Sequence, residues 1–567
     1  MAHRDGEEFF NELYADAFSD CPSDFEVYSS DVEDDSLSED SYESDIRPPK
    51  RQKRNVIESD SESDFEEEWT ENDITPTLED YTNISGVTVE LSDPRSISEV
   101  TDLLLIMIFL NLIASQTNLY HRQMEKLYET SAKTLPWTEV TTSNMKKFLG
   151  LLILMGQTKK SHWRDYWSTD PLLEAPIFPK TMTRMRFEQI LTFFHLSDNS
   201  QATSNEDRLY KIRPLLDYFI PKFQSLYRPK QELSLDEAMI PYRGRISFRT
   251  YNPAKITKYG ILVRMLCESE TGYICNFEIY SGEGKKLQET IFSVLEPYLY
   301  SWHHVYQDNY YNSVSTAEIL LEKKTLVCGT IRENRGLPKE LKEKSKNLRR
   351  GEMTFLRKGH ILLITWKDKR LVRMISTIHD ASMKSTGKRK RNSTDDIVKP
   401  TCILDYNKFM KGVDRADQYL ANSSILRKSL KWYKKVAFFL INCALFNAFK
   451  IYSNYNLQNK MRYKQFLLEV AREWITDDSN ECSTEPGTSS GTSKRAPYKD
   501  SPFRLSGKLK DHVLEKIVTG IKKNPTRTCR VCSSKGKRSE TRYICKTCCV
   551  PLHVGECYTV YHTKKSY

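Results

Sequence analysis

Apolar and polar residues alternate along Glu232-Leu233-Ser234-Leu235-Asp236-Glu237-Ala238-Met239-Ile240, a period of two that predicts a half-buried strand with Asp236 near its end. Tyr259 to Cys267 and Tyr273 to Tyr280 are rich in Tyr, Ile, Val and Phe, and the turn residues Glu268 to Gly272 between them make a meander. The period then changes. Leu287 to Tyr300 carries Ile291, Val294, Leu295 and Leu299 at helical spacing, and His303 to Gln307 reads as a short strand that delivers Asp308. Ser313 to Lys323 predicts a helix capped by Ser313 or Ser315, and Thr325 to Ile331 another short strand. After a polar interval, Tyr406 to Leu420 predicts one helix carrying Asp414 and Asp417.

Strand, strand, strand, helix, strand, helix, strand, interruption, helix is the order of an α/β, RNase H-like fold. In that fold the first strand, the fourth strand and a late helix each supply an acid, here Asp236, Asp308 and Asp414. Any single aspartate among 76 acidic residues is ordinarily a solvated charge or a helix cap. What singles these out is their order and the kind of element each sits on. Mg²⁺ (or Mn²⁺) needs a few convergent oxygens alongside a substrate phosphate. Two such ions can generate a nucleophile and steady the leaving oxygen of an in-line displacement. Asp405, Asp395 and Asp396 are rivals for the third place, but they precede the helix or lie in a polar loop. Asp417 shares a helical face with Asp414 and is either a fourth ligand or an outer partner.

Charge sharpens this reading. Residues 1–73 hold 25 acidic against 6 basic residues, so the net +9 conceals a remainder of 494 residues carrying +28. A body of that sign suits a polyanion. Its basic residues cluster beside the acids: Arg243, Arg245, Lys255 and Lys258 after the first, and Arg427, Lys428, Lys431, Lys434 and Lys435 after the last. Such groups hold phosphates and set register without reading bases. Trp432 can stack on a distorted base or serve as core, as can its neighbour Tyr433.

Six of 13 cysteines fall near the C-terminus, as Cys529-x2-Cys532, Cys545-x2-Cys548 with Cys549 adjacent, and Cys557, interleaved with His553 and His562. That is zinc spacing, and a fold this short needs metal or crosslinks. A cross-brace places Cys529, Cys532, His553 and Cys557 on one Zn²⁺ and Cys545, Cys548 and His562 on a second, one ligand short. Cys549 or water completes it, or only one zinc binds. Residues 501–567 carry 15 basic against 4 acidic residues, which agrees with a DNA-facing module. The remaining cysteines are scattered singly and read as small buried hydrophobes in a reduced compartment.

Several segments extend the match beyond the acids. Leu235-Asp236-Glu237-Ala238-Met239-Ile240-Pro241-Tyr242-Arg243-Gly244-Arg245, Gln307-Asp308-Asn309, Asp405-Tyr406-Asn407, and Gly412-Val413-Asp414-Arg415-Ala416-Asp417-Gln418 resemble the piggyBac family of DNA transposases. So do Thr117 to Tyr120, Phe148 to Gly156, Tyr166 to Ser168 and Asp207 to Pro214, so the resemblance runs from about residue 95 to the C-terminus. It implies a homodimer that excises a double-stranded DNA element through hairpin ends and reinserts it at TTAA. It also implies a metal-bound Asp triad with Asp417 as a fourth active-site acid, and a cysteine-rich domain that recognises the element's ends.

The expected layout is a disordered acidic tail over 1–90, a helical dimerisation and DNA-binding domain over 91–230 continued at 425–478, and a catalytic core split between 231–334 and 401–424. An insertion domain fills 335–400, with strands around Glu352 to Phe355, Ile361 to Lys367 and Val372 to Thr377. A flexible linker spans 479–527 and a zinc domain 528–567. The run Arg47 to Arg54 in the acidic tail reads as a nuclear localisation signal, with Lys388 to Arg391 a second candidate, and the Ser-Asp-Ser-Glu-Ser-Asp stretch from Ser59 invites phosphorylation. No membrane partner is expected: the N-terminus lacks a signal pattern, and Leu103 to Ala114 is a short buried helix. No small-molecule substrate is expected either. A binding protein derived from a transposase but lacking transposition is the alternative function.

Overall fold

The computed structural model describes residues 68–128, 136–201 and 207–476, apart from 254, 256, 283, 390–395, 428 and 459, and in the C-terminal part 504–505, 512–517, 525–548, 550–564 and 566. The nuclear signal, the serine-acid stretch, Asp395, Lys428 and Cys549 lie outside these residues. Two units result, divided at Asp477/Asp478.

The first unit begins with helices α1 (Ile97–Asp102), α2 (Met107–Tyr128), α3 (Thr142–Gln157), α4 (Arg184–Phe193) and α5 (Arg213–Leu226). The sheet follows, with β1 (Glu232–Pro241), β2 (Thr250–Tyr251), β3 (Tyr259–Glu268) and β4 (Ile274–Ile279). Next come α6 (Leu287–Leu295), β5 (His304–Gln307), α7 (Val314–Glu322) and β6 (Leu326–Thr330). Ser313 caps α7, its hydroxyl accepting from the Thr316 amide at 3.1 Å. The meander β1–β3–β4 is antiparallel, while β5 runs parallel to both β1 and β6.

The expected insertion differs from its prediction. Strands β7 (Met353–Lys358), β8 (Ile361–Lys367) and β9 (Leu371–Ser376) form where alternation placed them, but β9 pairs antiparallel with β6. They therefore join the same sheet, which among the described residues has nine strands, instead of making a separate body. One apolar face joins them: Leu362, Ile364, Trp366 and Met374 pack with Tyr306, Leu326 and Cys328. Strand pairing satisfies the edge of β6, which periodicity within one segment does not reveal.

The acidic tail is also shorter than expected. Thr70 pairs with Arg357 on edge strand β7. The side chain of Arg357 is 2 % exposed, and Asp73 meets it at 2.9 Å while also accepting from the Ala381 amide at 2.8 Å. A buried guanidinium requires a carboxylate partner, and the tail supplies it.

The single late helix predicted over 406–420 is two, α8 (Thr401–Phe409) and α9 (Gly412–Asn422). The break lets α9 dock by its first turn. A Cβ at Gly412 would meet Ser234 Oγ at 2.2 Å and the Glu268 carbonyl at 2.9 Å, and Ser234 Oγ accepts from the Val413 amide at 3.1 Å. Helix α10 (Trp432–Tyr455) and α11 (Tyr463–Thr476) then pack into one apolar cluster with α1 to α5 and with the sheet. By length and composition α10 could cross a membrane. It is instead a core helix: Asn447 bonds the Ile274 amide and carbonyl, both at 2.9 Å, and Asn442 bonds the Leu420 carbonyl at 3.1 Å.

In the second unit Leu514–Lys516 pairs with Tyr543–Cys545, and Arg504 donates to the carbonyls of Tyr561 and Lys564, both at 2.7 Å. These residues lie inside the expected linker of 479–527, so the folded module begins earlier than its cysteines.

The docking of α9 generates a prediction. Gly412→Ala lowers stability by about 1–3 kcal/mol through overpacking, and adding Ser234→Ala recovers part of the loss, as read from chemical denaturation midpoints.

Candidate functional site

The parallel register pairs Leu235 of β1 with Gln307 of β5. Asp236 and Asp308 are therefore the next residues on two neighbouring strands, which lie about 4.8 Å apart while paired. Beyond this point β1 stays with β3, opposite Met265, whereas β5 ends. The acids stand at the fork. Each is fixed by a local amide: Asp236 Oδ1 accepts from Glu237 N and Asp308 Oδ1 from Tyr310 N, both at 2.8 Å. Asn312 locks the turn below, donating to the carbonyls of Gln307 at 3.0 Å and Thr330 at 2.8 Å. Gly329 is the residue this turn permits on β6, since a Cβ there would meet the Gln307 carbonyl at 1.8 Å.

Helix α9 brings the other two acids. Asp417 is half-buried and Asp414, in the first turn, is exposed. Asp417, the inner member of the helical pair, senses Asp414 and Glu237, while Asp236 senses Asp308 and Glu237, so Glu237 links the strand acids to the helical ones. The rivals go elsewhere: Asp405 sits 3.0 Å from His379, and Asp396 accepts from Ser385 at 2.7 Å.

Burial raises the pKa of Asp236 well above its usual range, and the charges of Glu237 and Asp308 add to it. Burial likewise pushes Asp308 up to about 6 and Asp417 up to about 7, with Glu237 adding to Asp308 and Asp414 to Asp417. A cluster of acids held above their ordinary values carries more negative charge than its surroundings balance. Its oxygen donors fit a hard divalent cation, which would remove that cost.

Several neighbours were not singled out from sequence. Glu237 is buried, accepts from Tyr311 OH at 3.1 Å and faces its register partner Arg264. Tyr406 feels both Asp308 and Asp236, and Arg332 donates to Asn309 at 2.9 Å beside Asp308.

The basic residues divide by location. Arg243, Arg245, Lys258 and Lys431 are exposed, and Lys435 is half-buried. Lys434 departs from its expected role: it is 3 % exposed, and its ammonium caps the last carbonyls of α4, Leu191 at 2.7 Å and Thr192 at 2.8 Å. Arg427 departs as well, donating to the carbonyls of Leu152 at 3.0 Å and Leu426 at 2.9 Å. Trp432 is half-buried edge-on against Phe248, ring centroids 5.3 Å apart. Lys255 lies among the acids, its ammonium 3.1 Å from the Glu237 carbonyl.

In the second unit the ligand atoms of Cys529, Cys532, His553 and Cys557 lie within 4.8 Å of one another, as do those of His512, Cys545, Cys548 and His562. The cross-brace pairing is the expected one, and the eighth donor is His512. Cys532 Sγ is 3.7 Å from Cys557 Sγ, matching the roughly 3.8 Å between two thiolates each 2.3 Å from a tetrahedral zinc. His553 Nε2 is 3.1 Å from the Glu540 carbonyl, which leaves Nδ1 for a metal. His562 Nδ1 faces the Tyr558 carbonyl at 2.8 Å, and its buried Nε2 has no protein partner. His512 carries no CxxC-type signal, standing 33 residues before Cys545.

A sheet forked around Asp236 and Asp308, with two further acids on a late helix docked against it, is the setting in which the family of the chain is read. The Transposase IS4 family matches residues 102–449, more than half of the chain, and the protein belongs to that family as a piggyBac-type transposase. It is similar to human PiggyBac transposable element-derived protein 3, 25% identical over 445 residues that cover 75% of this chain and 71% of the relative. Similarity to human PiggyBac transposable element-derived protein 2 is 25% over 449 residues, 74% of this chain and 71% of that one. Among solved structures, a cryo-EM piggyBac transposase synaptic complex with hairpin DNA is similar with a TM-score of 0.61 and 22% identity, over 83% of this chain and 97% of that one.

Two predictions follow from the geometry. Wild-type protein carries two zinc ions by elemental analysis, and His512→Ala carries one, while Cys549→Ser keeps both. Because Asp417 holds its proton more tightly folded than unfolded, its contribution to stability is lost as pH rises from the ordinary carboxyl range through about 7. Asp417→Asn therefore melts higher than wild type in metal-free buffer at pH 8, by on the order of 1–3 kcal/mol, and the difference closes by pH 5.

Proposed function

We propose that this protein is a cut-and-paste DNA transposase whose RNase H-like core cuts and joins phosphodiesters at the four-acid fork. The observation that carries the reading is the strand register that sets Asp236 beside Asp308, and the seating of the first turn of α9, which carries Asp414 and Asp417, on Ser234 of the same strand supports it. Asp236, Asp308 and Asp414 would hold Mg²⁺ or Mn²⁺, with Asp417 as their partner. Bound there, the metal supplies an activated oxygen nucleophile and charge neutralisation at the leaving oxygen. The chain's own residues do the rest: β1 and β5 fix two carboxylates on rigid strands, while Arg243, Arg245, Lys258 and Lys431 present exposed cations to phosphates.

The C-terminal module, with zinc in both cross-braced sites, grips the ends of the element. Cleavage proceeds through hairpin ends and reinsertion at TTAA, as the resemblance to piggyBac transposases implies. A palindromic target calls for a two-fold symmetric dimer. The basic run Arg47 to Arg54 directs the protein to the nucleus, where its DNA substrate resides.

Asp308→Ala is the decisive variant. It retains DNA binding, while excision of a TTAA-flanked element in cells and hairpin formation in vitro with Mg²⁺ fall at least roughly a hundredfold, the scale of losing one transition-state-stabilising group. Unchanged excision would mean that the acids serve structure and that the chain is a DNA-binding derivative.

A further inference from the structure

Lys255 was read from sequence as one of several phosphate-holding cations, and the fold puts it somewhere else. Its side chain turns into the fork, where the ammonium donates to the Glu237 carbonyl at 3.1 Å. From there it interacts with Asp236, Glu237, Asp417 and Asp414 together. Arg332 acts on Asp308 alone among the acids, and Arg264 lies opposite Glu237 in the strand register. Asp236 and Asp417 both have Lys255 as the largest influence opposing their burial. Lys434 shows the contrast: its more deeply buried ammonium meets the carbonyls of Leu191 at 2.7 Å and Thr192 at 2.8 Å, whereas that of Lys255 sits beside the acids.

We propose that Lys255 is the resident counter-ion of the acid cluster. Its ammonium neutralises the carboxylates that α9 and β1 bring together, holding them in place in the metal-free protein, and it yields part of that role when divalent cations enter. This rests on the reading of the fork as a metal site. Lys255 is thus a positioning residue that acts through Asp236 and Asp417 and sets how tightly the fork binds metal. A cation of fixed position competes with a mobile one for the same negative field. Removing it leaves the carboxylates less stable without metal and more avid for it.

The test uses full-length protein and Mn²⁺ alone. Binding is followed by the electron paramagnetic resonance signal of free Mn²⁺, and the fork site is defined as the component lost in Asp308→Asn. Lys255→Met is expected to bind Mn²⁺ at that site roughly 3–30-fold more tightly than wild type, the scale of losing one competing charge at partial screening. Its metal-free melting temperature falls, and Mn²⁺ raises that temperature by more than it does for wild type. Lys255→Arg, which keeps the charge, restores wild-type affinity. Lys255→Gln serves as the neutral variant if the methionine form does not fold. Affinity in the neutral variants equal to or weaker than wild type overturns the counter-ion role, as does an arginine variant that behaves like methionine. A wild-type protein with no Mn²⁺ component sensitive to Asp308→Asn overturns the metal reading itself, an outcome distinct from failure of Lys255 alone.

Discussion

Like charges must be held together at the fork against their mutual repulsion, and the parallel pairing of β1 with β5 is what holds them. Two strands in register place Asp236 and Asp308 side by side through a backbone ladder that does not yield to the charges it carries. The amides of Glu237 and Tyr310 then fix each carboxylate in its own turn. The helical acids depend on a second rigid contact, the first turn of α9 seated on Ser234 through the bare backbone of Gly412. Neither contact involves the acids' own chemistry, so the site can carry strained electrostatics without losing its geometry.

The same logic explains the size of the body around so small a site. Helices before and after the sheet merge into one apolar core, with α10 running through its middle. Its buried asparagines tie it to the first residue of β4 and to the end of α9, so sheet and helices are joined by polar bonds as well as by burial. Positive charge is divided accordingly. Lys434 and Arg427 satisfy carbonyls inside the body, Lys255 lies by the acids, and Arg243, Arg245 and Lys258 past β1 stay exposed at the surface.

Much of this was legible in the residues. The strands of the meander, the acids Asp236 and Asp308 and the strands of the insertion follow from periodicity carried within a dozen residues or so, and the grouping of Cys529, Cys532, His553 and Cys557 follows from the spacing of its thiols. The break between α8 and α9 was not, since it arises from how closely Gly412 approaches a strand nearly 180 residues earlier. His512 escapes for a similar reason: a lone histidine in a polar stretch comes beside Cys545 and Cys548 only when the strand Leu514–Lys516 that follows it pairs with the one that carries Cys545. Lys434 misled because a basic run reads as surface until the helix that carries it enters a core.

By itself the sequence determined the kinds of element and the chemistry on offer, because alternation, helical spacing and thiol pairs are local properties of the chain. Only the tertiary structure decided which acids stand on neighbouring strands, which cations are spent internally, where the sheet ends and that His512 joins Cys545, Cys548 and His562. Those outcomes depend on register and on close approach between distant segments, which hydrogen-bond ladders and packing set in space and no short stretch of residues encodes.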